Sequence, residues 1–213
     1  ELKGVDSRNI ERIWNEIYRK FSFRSPALTS VISAIDLALW DIKGKRLGVP
    51  VWDLLGGKYR DKVRAIVLLG GKYGPTRNAD EFAIAAKKAK TDGYTALKMT
   101  PLPQNWSKLP YPELIRKSTE IVGAVRESVG WDFDIGIEIH RNMIPGEAIV
   151  FAKNIEKFLP YFYEDPIAPD SVQSMANIAD RITIPLAVGE RNNTMWEFRE
   201  YSAIPGVRFL KPD

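Results

Sequence analysis

Short apolar runs alternate with longer amphipathic segments over most of this 213-residue sequence. Six runs have the length and apolar content of buried strands, and they span residues 63–69, 94–99, 133–139, 161–164, 186–189 and 207–210. The segments between them place apolar residues at helical spacing, as at Leu114, Ile121 and Val125. This alternation of strand and helix predicts an α/β fold with a parallel sheet and right-handed crossovers.

Two sheet architectures agree with this alternation. A closed (β/α)-barrel is favoured, because functional groups then collect at the carboxyl ends of the strands. An open doubly wound sheet usually carries a glycine-rich phosphate loop after its first strand, and Gly70-Gly71 followed by Gly74 does not match that pattern. Because six strands do not close an eight-strand barrel, we expect a partial chain that lacks two βα units and part of an N-terminal domain.

The first 57 residues differ from the rest because they show helical periodicity and no strand of their own. One helix is predicted within residues 1–20. A second is predicted to be capped by Thr29 or Ser30 and to end near Gly44. We therefore assign residues 1–57 to part of a helical capping domain and residues 58–213 to the partial barrel.

Three of the predicted strands end in a glutamate, and Glu138, Glu164 and Glu190 follow one another at equal intervals of 26 residues. Acids at the same ends of three successive parallel strands converge on one point. At an effective dielectric constant near 20, two unit charges 4 Å apart repel by about 4 kcal/mol. A hard divalent cation with oxygen ligands relieves this repulsion, and we predict Mg²⁺ as the cofactor.

Composition narrows the possible classes of function. The net charge of +4 is spread along the chain without a basic block, which argues against a nucleic-acid partner. The sequence has no cysteine and one histidine, so His140 must supply any imidazole chemistry within these residues. No signal peptide and no apolar run of 18 residues is present, which predicts a cytoplasmic protein without a membrane partner.

Two long motifs carry a resemblance to a known family. Residues 33–45 (SAIDLALWDIKGK) and 48–57 (GVPVWDLLGG) are similar to the segment joining the capping domain to the barrel in the mandelate racemase/muconate-lactonising branch of the enolase superfamily. The resemblance implies a modified (β/α)-barrel with an α+β capping domain and a homo-oligomer, often an octamer. It also implies Mg²⁺ held by strand-end acids, which correspond here to Glu138, Glu164 and Glu190.

Further roles follow from the same resemblance. Glu138-Ile139-His140 resembles the acid-x-histidine arrangement of the sugar-acid dehydratases, in which the histidine protonates a departing hydroxyl. Residues two apart on a strand share a face, so His140 is expected on the metal's side. Lys98 is expected to contact the substrate carboxylate, and Asp213 to orient a histidine base that lies beyond this chain.

One position departs from the racemase pattern. Racemases and epimerases of this branch carry lysine-x-lysine, where this sequence has Lys98-Met99-Thr100. Threonine is not an effective base at neutral pH, so dehydration is favoured over racemisation. The candidates for substrate binding are Thr100, Arg141, Asn142 and Arg191.

These observations predict a lyase that dehydrates a sugar acid, such as gluconate or galactonate, to a 2-keto-3-deoxy acid. The reaction would remove the C2 proton, form an enediolate and expel the 3-hydroxyl with His140 as general acid. The first alternative is a racemase or epimerase of the same superfamily. The second is a non-catalytic barrel homologue, because Glu138 stands where relatives usually have aspartate.

Overall fold

The computed structural model describes residues 2–20 and 25–212, and the chain divides into two compact units, Glu1–Val63 and Arg64–Asp213. The described part of the first unit contains the helices α1 (Ile10–Lys20), α2 (Pro26–Leu47) and α3 (Val51–Leu54). Its small apolar core is formed by Ile10 and Ile13 of α1 with Leu39 of α2.

Helix α2 begins earlier than the sequence predicted. The side chain of Ser25 accepts a hydrogen bond from the N–H of Leu28 at 3.3 Å and so caps the helix. Pro26 occupies the first helical position, where a missing N–H does no harm. The prediction of Thr29 or Ser30 as the cap is therefore wrong.

Helix α2 also continues past Gly44, where it was predicted to end. A Cβ atom on Gly44 would lie 2.7 Å from the carbonyl oxygen of Val49, so this glycine permits a close backbone approach inside the helix. The helix ends at Leu47, and Gly48 follows in the left-handed conformation typical of a helix end.

The second unit alternates strand and helix from beginning to end. Its elements are β1 (Val67–Leu68), α4 (Ala79–Thr91), β2 (Ala96–Met99), α5 (Tyr111–Val129), β3 (Asp134–Glu138), α6 (Pro145–Ile155), β4 (Phe162–Glu164), α7 (Val172–Ala179), β5 (Leu186–Val188), α8 (Met195–Ser202) and β6 (Val207–Leu210). Strand β1 is shorter than predicted. None of the described helices is both long and apolar enough to cross a bilayer.

The order of the strands decides between the two predicted architectures. Each strand pairs in parallel with the next one in the sequence, from β1 to β6. A doubly wound sheet reverses its strand order at a switch point, whereas a (β/α)-barrel keeps the order of the sequence. The predicted α/β fold with a partial barrel is therefore confirmed.

The two faces of the sheet have different compositions. The residues that pack into the core shared with the helices are apolar and buried: Leu97, Met99, Ile135, Ile137, Tyr163, Leu186 and Val188. Alternate residues of the same strands point to the opposite face, and these include Lys98, Glu138 and Glu164. One face thus stabilises the fold while the other carries charged side chains.

Gly136 of β3 makes room for an aromatic ring below these charged residues. Its register partner is Phe162 of β4, and a Cβ on Gly136 would lie 2.3 Å from the Cζ atom of that ring. The ring of Phe162 packs in turn against Phe209, with centroids 5.8 Å apart. A side chain at position 136 would therefore have to displace a packed aromatic pair.

We predict that Gly136→Ala destabilises the protein by about 1–3 kcal/mol, the usual penalty for overpacking a filled core. Denaturant unfolding of both proteins measures the difference. The matched control is Gly146→Ala in the first turn of α6, where an added Cβ meets nothing within 4 Å. The control should be neutral or slightly stabilising, because alanine favours helix. A Gly136→Ala protein as stable as its parent would contradict this packing.

Candidate active site

Backbone pairing brings the strand-end acids to one edge of the sheet. Glu138 and Glu164 end β3 and β4 and are register partners. The pairing continues beyond the strands, where the N–H of Ile139 donates to the Glu164 carbonyl at 3.0 Å. The N–H of Arg141 then donates to the carbonyl of Asp165 at 2.7 Å. These bonds hold the loop after β3 against the end of β4.

The part of the chain that the structure describes contains two groups of side chains that could hold a metal ion. One consists of Glu138, His140 and Glu190, and the other of Glu164, Asp165 and Glu190. Within each group, one ligand atom of every residue lies within 4.8 Å of the others. The three predicted ligands are thus divided between two groups that share Glu190.

Two lysines supply positive charge to the buried carboxylates. The Nζ atom of Lys98 lies 3.1 Å from Oε2 of Glu138 and 3.2 Å from Oε1 of Glu164. Lys211, directly after β6, forms an ion pair with the same oxygen of Glu164. Burial alone would lower the pKa of Lys98, but the charges of Glu164 and Glu138 outweigh burial and raise that pKa. Lys98 is therefore a cation at neutral pH.

The second carboxylate oxygen of Glu164 has a different environment. Glu164 is fully buried, and its Oε2 atom has no hydrogen-bond partner. A buried polar atom of this kind costs roughly 1–3 kcal/mol unless a ligand, ion or water satisfies it. Oε2 of Glu164 is therefore available as a ligand atom.

Arg141 supplies a third positive charge. Its guanidinium forms an ion pair with Oε1 of Glu190 and lies 3.7 Å from Oδ2 of Asp165. The Nε2 atom of His140 is 3.9 Å from the same Glu190 oxygen, and 56% of the His140 side chain is exposed. The φ angles of His140, Arg141 and Asp165 are 54°, 66° and 36°. Such left-handed backbone in non-glycine residues accumulates at functional sites.

Two family models match the chain over most of its length. One, described as the mandelate racemase/muconate lactonizing enzyme N-terminal domain, matches residues 1–56, and one described as enolase C-terminal domain-like matches residues 81–213. The chain belongs to the mandelate racemase/muconate lactonizing branch of the enolase superfamily. The resemblance based on residues 33–57 is therefore confirmed.

Relatives within this superfamily have names that specify an activity. The D-gluconate dehydratase of Thermoproteus tenax is 37% identical over 212 residues, which cover 99% of this chain and 42% of the relative. The D-gluconate/D-galactonate dehydratase of Picrophilus torridus is 36% identical over 215 residues, which cover 100% of this chain and 54% of the relative. The chain spans about half the length of the curated relatives it matches.

Solved structures of the enolase superfamily share this fold. A superfamily member from Salmonella Typhimurium has a TM-score of 0.90 at 31% identity, covering 98% of this chain and 58% of that one. An enolase from Agrobacterium radiobacter with bound Na and L-malate has a TM-score of 0.87 at 25% identity, covering 98% of this chain and 52% of that one.

In this enolase-superfamily chain, His140 lies near the acids as predicted, but its backbone conformation differs from the predicted strand. Strand β3 ends at Glu138, so strand alternation does not orient His140. A left-handed turn instead brings its imidazole toward Glu190. Asp213, the predicted orienting acid, lies outside the described residues.

The four residues predicted to bind substrate have different surroundings. Thr100 is half-buried directly after β2, and Arg191 is exposed. Asn142 is half-buried, and its side-chain amide donates to the carbonyl of Ile139 at 2.9 Å. Arg141 contacts carboxylates of the site itself. Contact of these residues with a substrate stays a prediction.

Asp165 and Lys211 are functional candidates that the sequence prediction does not include. Each residue directly follows a strand, at the edge of the sheet where the glutamates lie. A charged residue immediately after a predicted strand is therefore the sequence feature that could have identified both. Burial, followed by the charge of Glu164, raises the pKa of Asp165 to about 6, while the charge of Arg141 opposes the rise.

The raised pKa of Asp165 predicts a pH-dependent stability. The folded protein binds this proton more tightly than the unfolded chain, whose ordinary value is 3.8. The resulting stabilisation is complete below about pH 4 and is lost as pH rises through about 6. Asp165→Asn should therefore gain up to about 3 kcal/mol relative to its parent between about pH 4 and pH 7. Denaturant unfolding with EDTA present measures this difference.

A second aspartate gives a control of opposite sign. A hydrogen bond from Lys90 holds the pKa of Asp132 below its ordinary value. The parent gains stability from ionised Asp132 as pH rises toward about 4, and Asp132→Asn lacks this gain. The variant should therefore be less stable than its parent above about pH 4, and it should never be more stable. If the free energies of unfolding of Asp165→Asn and of its parent changed with pH in parallel, the pKa of Asp165 would not be raised in the folded protein.

Proposed function

We propose that the protein carrying this chain is a Mg²⁺-dependent dehydratase that converts an aldonate, such as gluconate or galactonate, to a 2-keto-3-deoxy acid. The observation that carries this proposal is the group formed by Glu138, His140 and Glu190, in which a histidine stands beside strand-end acids. The names of the relatives from Thermoproteus tenax and Picrophilus torridus support the same substrate class.

The residues at this edge fit a hard divalent cation. Mg²⁺ prefers carboxylate oxygens, and the unpartnered Oε2 of Glu164 is one such atom. Glu138, Glu164 and Glu190 would hold the ion, as the sequence predicts. When bound, the cation would place positive charge where negative charge develops on the substrate carboxylate during enolisation.

The chain's own side chains would orient the substrate and move protons. Lys98 would bind the substrate carboxylate, because its ammonium already lies among the acids of the site. His140 would donate its proton to the 3-hydroxyl as the C3–O bond breaks, so that the hydroxyl leaves as water. Its exposed imidazole is accessible to a substrate. Asp213 stays the proposed partner of the base that removes the C2 proton.

A racemase or epimerase is the second candidate because of Lys211. Thr100 argued against a second lysine, yet Lys98 and Lys211 approach the same oxygen of Glu164 from strands on either side of β4. An epimerase would need a base on each face of C2, and Lys211 supplies a second lysine beside Lys98. This candidate ranks second because the pKa of Lys98 is raised and both lysines contact the same oxygen of Glu164.

The aldonate is the proposed small-molecule partner, and neither a nucleic acid nor a membrane is proposed. A homo-oligomer is proposed on the family resemblance alone.

We predict that the protein forms 2-keto-3-deoxy acid from at least one member of an aldonate panel with Mg²⁺, and none with EDTA. His140→Asn should reduce kcat by about 10²–10⁴-fold, the usual contribution of a general acid. The same variant should still exchange the C2 proton with solvent deuterium, because proton removal precedes loss of the hydroxyl. Unchanged dehydration by His140→Asn would remove the proposed role of this residue.

The two candidate reactions differ in what happens to recovered substrate. An epimerase returns the C2-inverted acid with deuterium at C2 and forms no keto acid. Lys211→Met should abolish that exchange, whereas Lys153→Met, which removes an exposed lysine on α6, should leave it intact. If the panel shows neither product nor exchange, both enzymatic candidates fail for these aldonates and the non-catalytic alternative is favoured.

A further inference from the structure

We infer that Arg141 is an internal counter-ion of Glu190 that competes with a divalent cation for this carboxylate and moves to Asp165 when a cation takes Glu190. This inference rests on the proposed metal site. It concerns a positioning residue that acts through the ligands, whereas the sequence assigned Arg141 to substrate binding.

The first observation is where the guanidinium lies. Arg141 is largely buried, with 16% of its side chain exposed, and it is ion-paired with Oε1 of Glu190. Glu190 belongs to both groups of potential metal ligands. A guanidinium and a divalent cation repel each other strongly at contact distance, so they compete for one carboxylate oxygen. A cation that binds Oε1 of Glu190 is therefore expected to displace Arg141.

The second observation is an alternative partner close by. Oδ2 of Asp165 is buried, has no hydrogen-bond partner and lies 3.7 Å from the same guanidinium nitrogen. That separation is too long for a hydrogen bond, and a shift of about 1 Å would complete one. The main chain of Arg141 is already anchored beside Asp165 by the 2.7 Å backbone hydrogen bond. The side chain can therefore change partners without moving the loop.

The third observation is how the charges are distributed. Lys98 contacts both Glu138 and Glu164, and Lys211 adds a second cation at Glu164. The ion pair of Glu190 is formed by Arg141 instead. Displacing Arg141 toward Asp165 would free one ligand and compensate a buried carboxylate in the same movement. Such a transfer lowers the free energy needed to admit a divalent cation.

The test is the Mg²⁺ affinity of the protein carrying this chain, measured by isothermal titration calorimetry without substrate. Arg141→Gln removes the competing charge, so it should bind Mg²⁺ roughly tenfold more tightly than the parent. Arg141→Lys keeps the charge and should bind within about threefold of the parent. A purely structural arginine predicts the opposite, because its loss would disorder Glu190 and weaken binding. Circular dichroism confirms that each variant is folded.

A double-mutant cycle tests the proposed movement to Asp165. Asp165→Asn should weaken Mg²⁺ binding roughly tenfold in the parent and much less in the Arg141→Gln background. If Asp165 instead binds the cation directly, the loss should be the same in both backgrounds. Equal losses would overturn the transfer to Asp165.

A second measurement does not depend on a neutral variant that folds. The side-chain Nε–Hε resonance of Arg141, identified by its absence from Arg141→Lys, should shift during Mg²⁺ titration with the midpoint of binding. An unmoved resonance, or Arg141→Gln binding no tighter than a Mg²⁺-binding parent, would overturn this inference alone. A parent protein that binds no Mg²⁺ would overturn the proposed metal site as well.

Discussion

Compensation of carboxylate charge at one edge of a parallel sheet is the constraint on which the rest of the site depends. Neighbouring strands that end in acids concentrate negative charge where water is scarce, and a buried uncompensated charge costs several kcal/mol. Lys98 compensates part of this negative charge, because its ammonium contacts both Glu138 and Glu164. The site is therefore assembled from charges that stabilise one another, and a divalent cation would enter by replacing some of those partners.

The architecture of the sheet makes this concentration of charge possible. In each strand, alternate residues serve the helix-facing core, so the opposite face is free to carry polar groups at its carboxyl end. The contact of Gly136 with Phe162 fills the layer beneath the acids with aromatic surface. Glu138 and Glu164 are buried above this apolar layer, and the lower local dielectric strengthens the ion pairs that they form with Lys98.

Much of the fold could be predicted from the sequence because each prediction depended on local periodicity. The apolar runs located all six strands, and helices α4 to α8 followed from spacing and turn residues. Both errors in α2 arise from capping and turn geometry at the two ends of the helix. Gly44 was predicted to end the helix, but it lies inside the helix and allows the carbonyl of Val49 to come close to its Cα. Sequence spacing does not reveal this contact.

The sequence alone determined the fold class, the family and which acids stand at strand ends, since these depend on residue type and spacing along one chain. Only the tertiary structure decided which charges meet. Lys211 follows Lys98 by more than a hundred residues, yet both contact Glu164 because β4 lies between their strands. The ion pair of Arg141 with Glu190, beside an unpartnered oxygen of Asp165, likewise depends on the left-handed turn at His140 and Arg141. Such contacts depend on the packing of distant segments, and no local pattern encodes them.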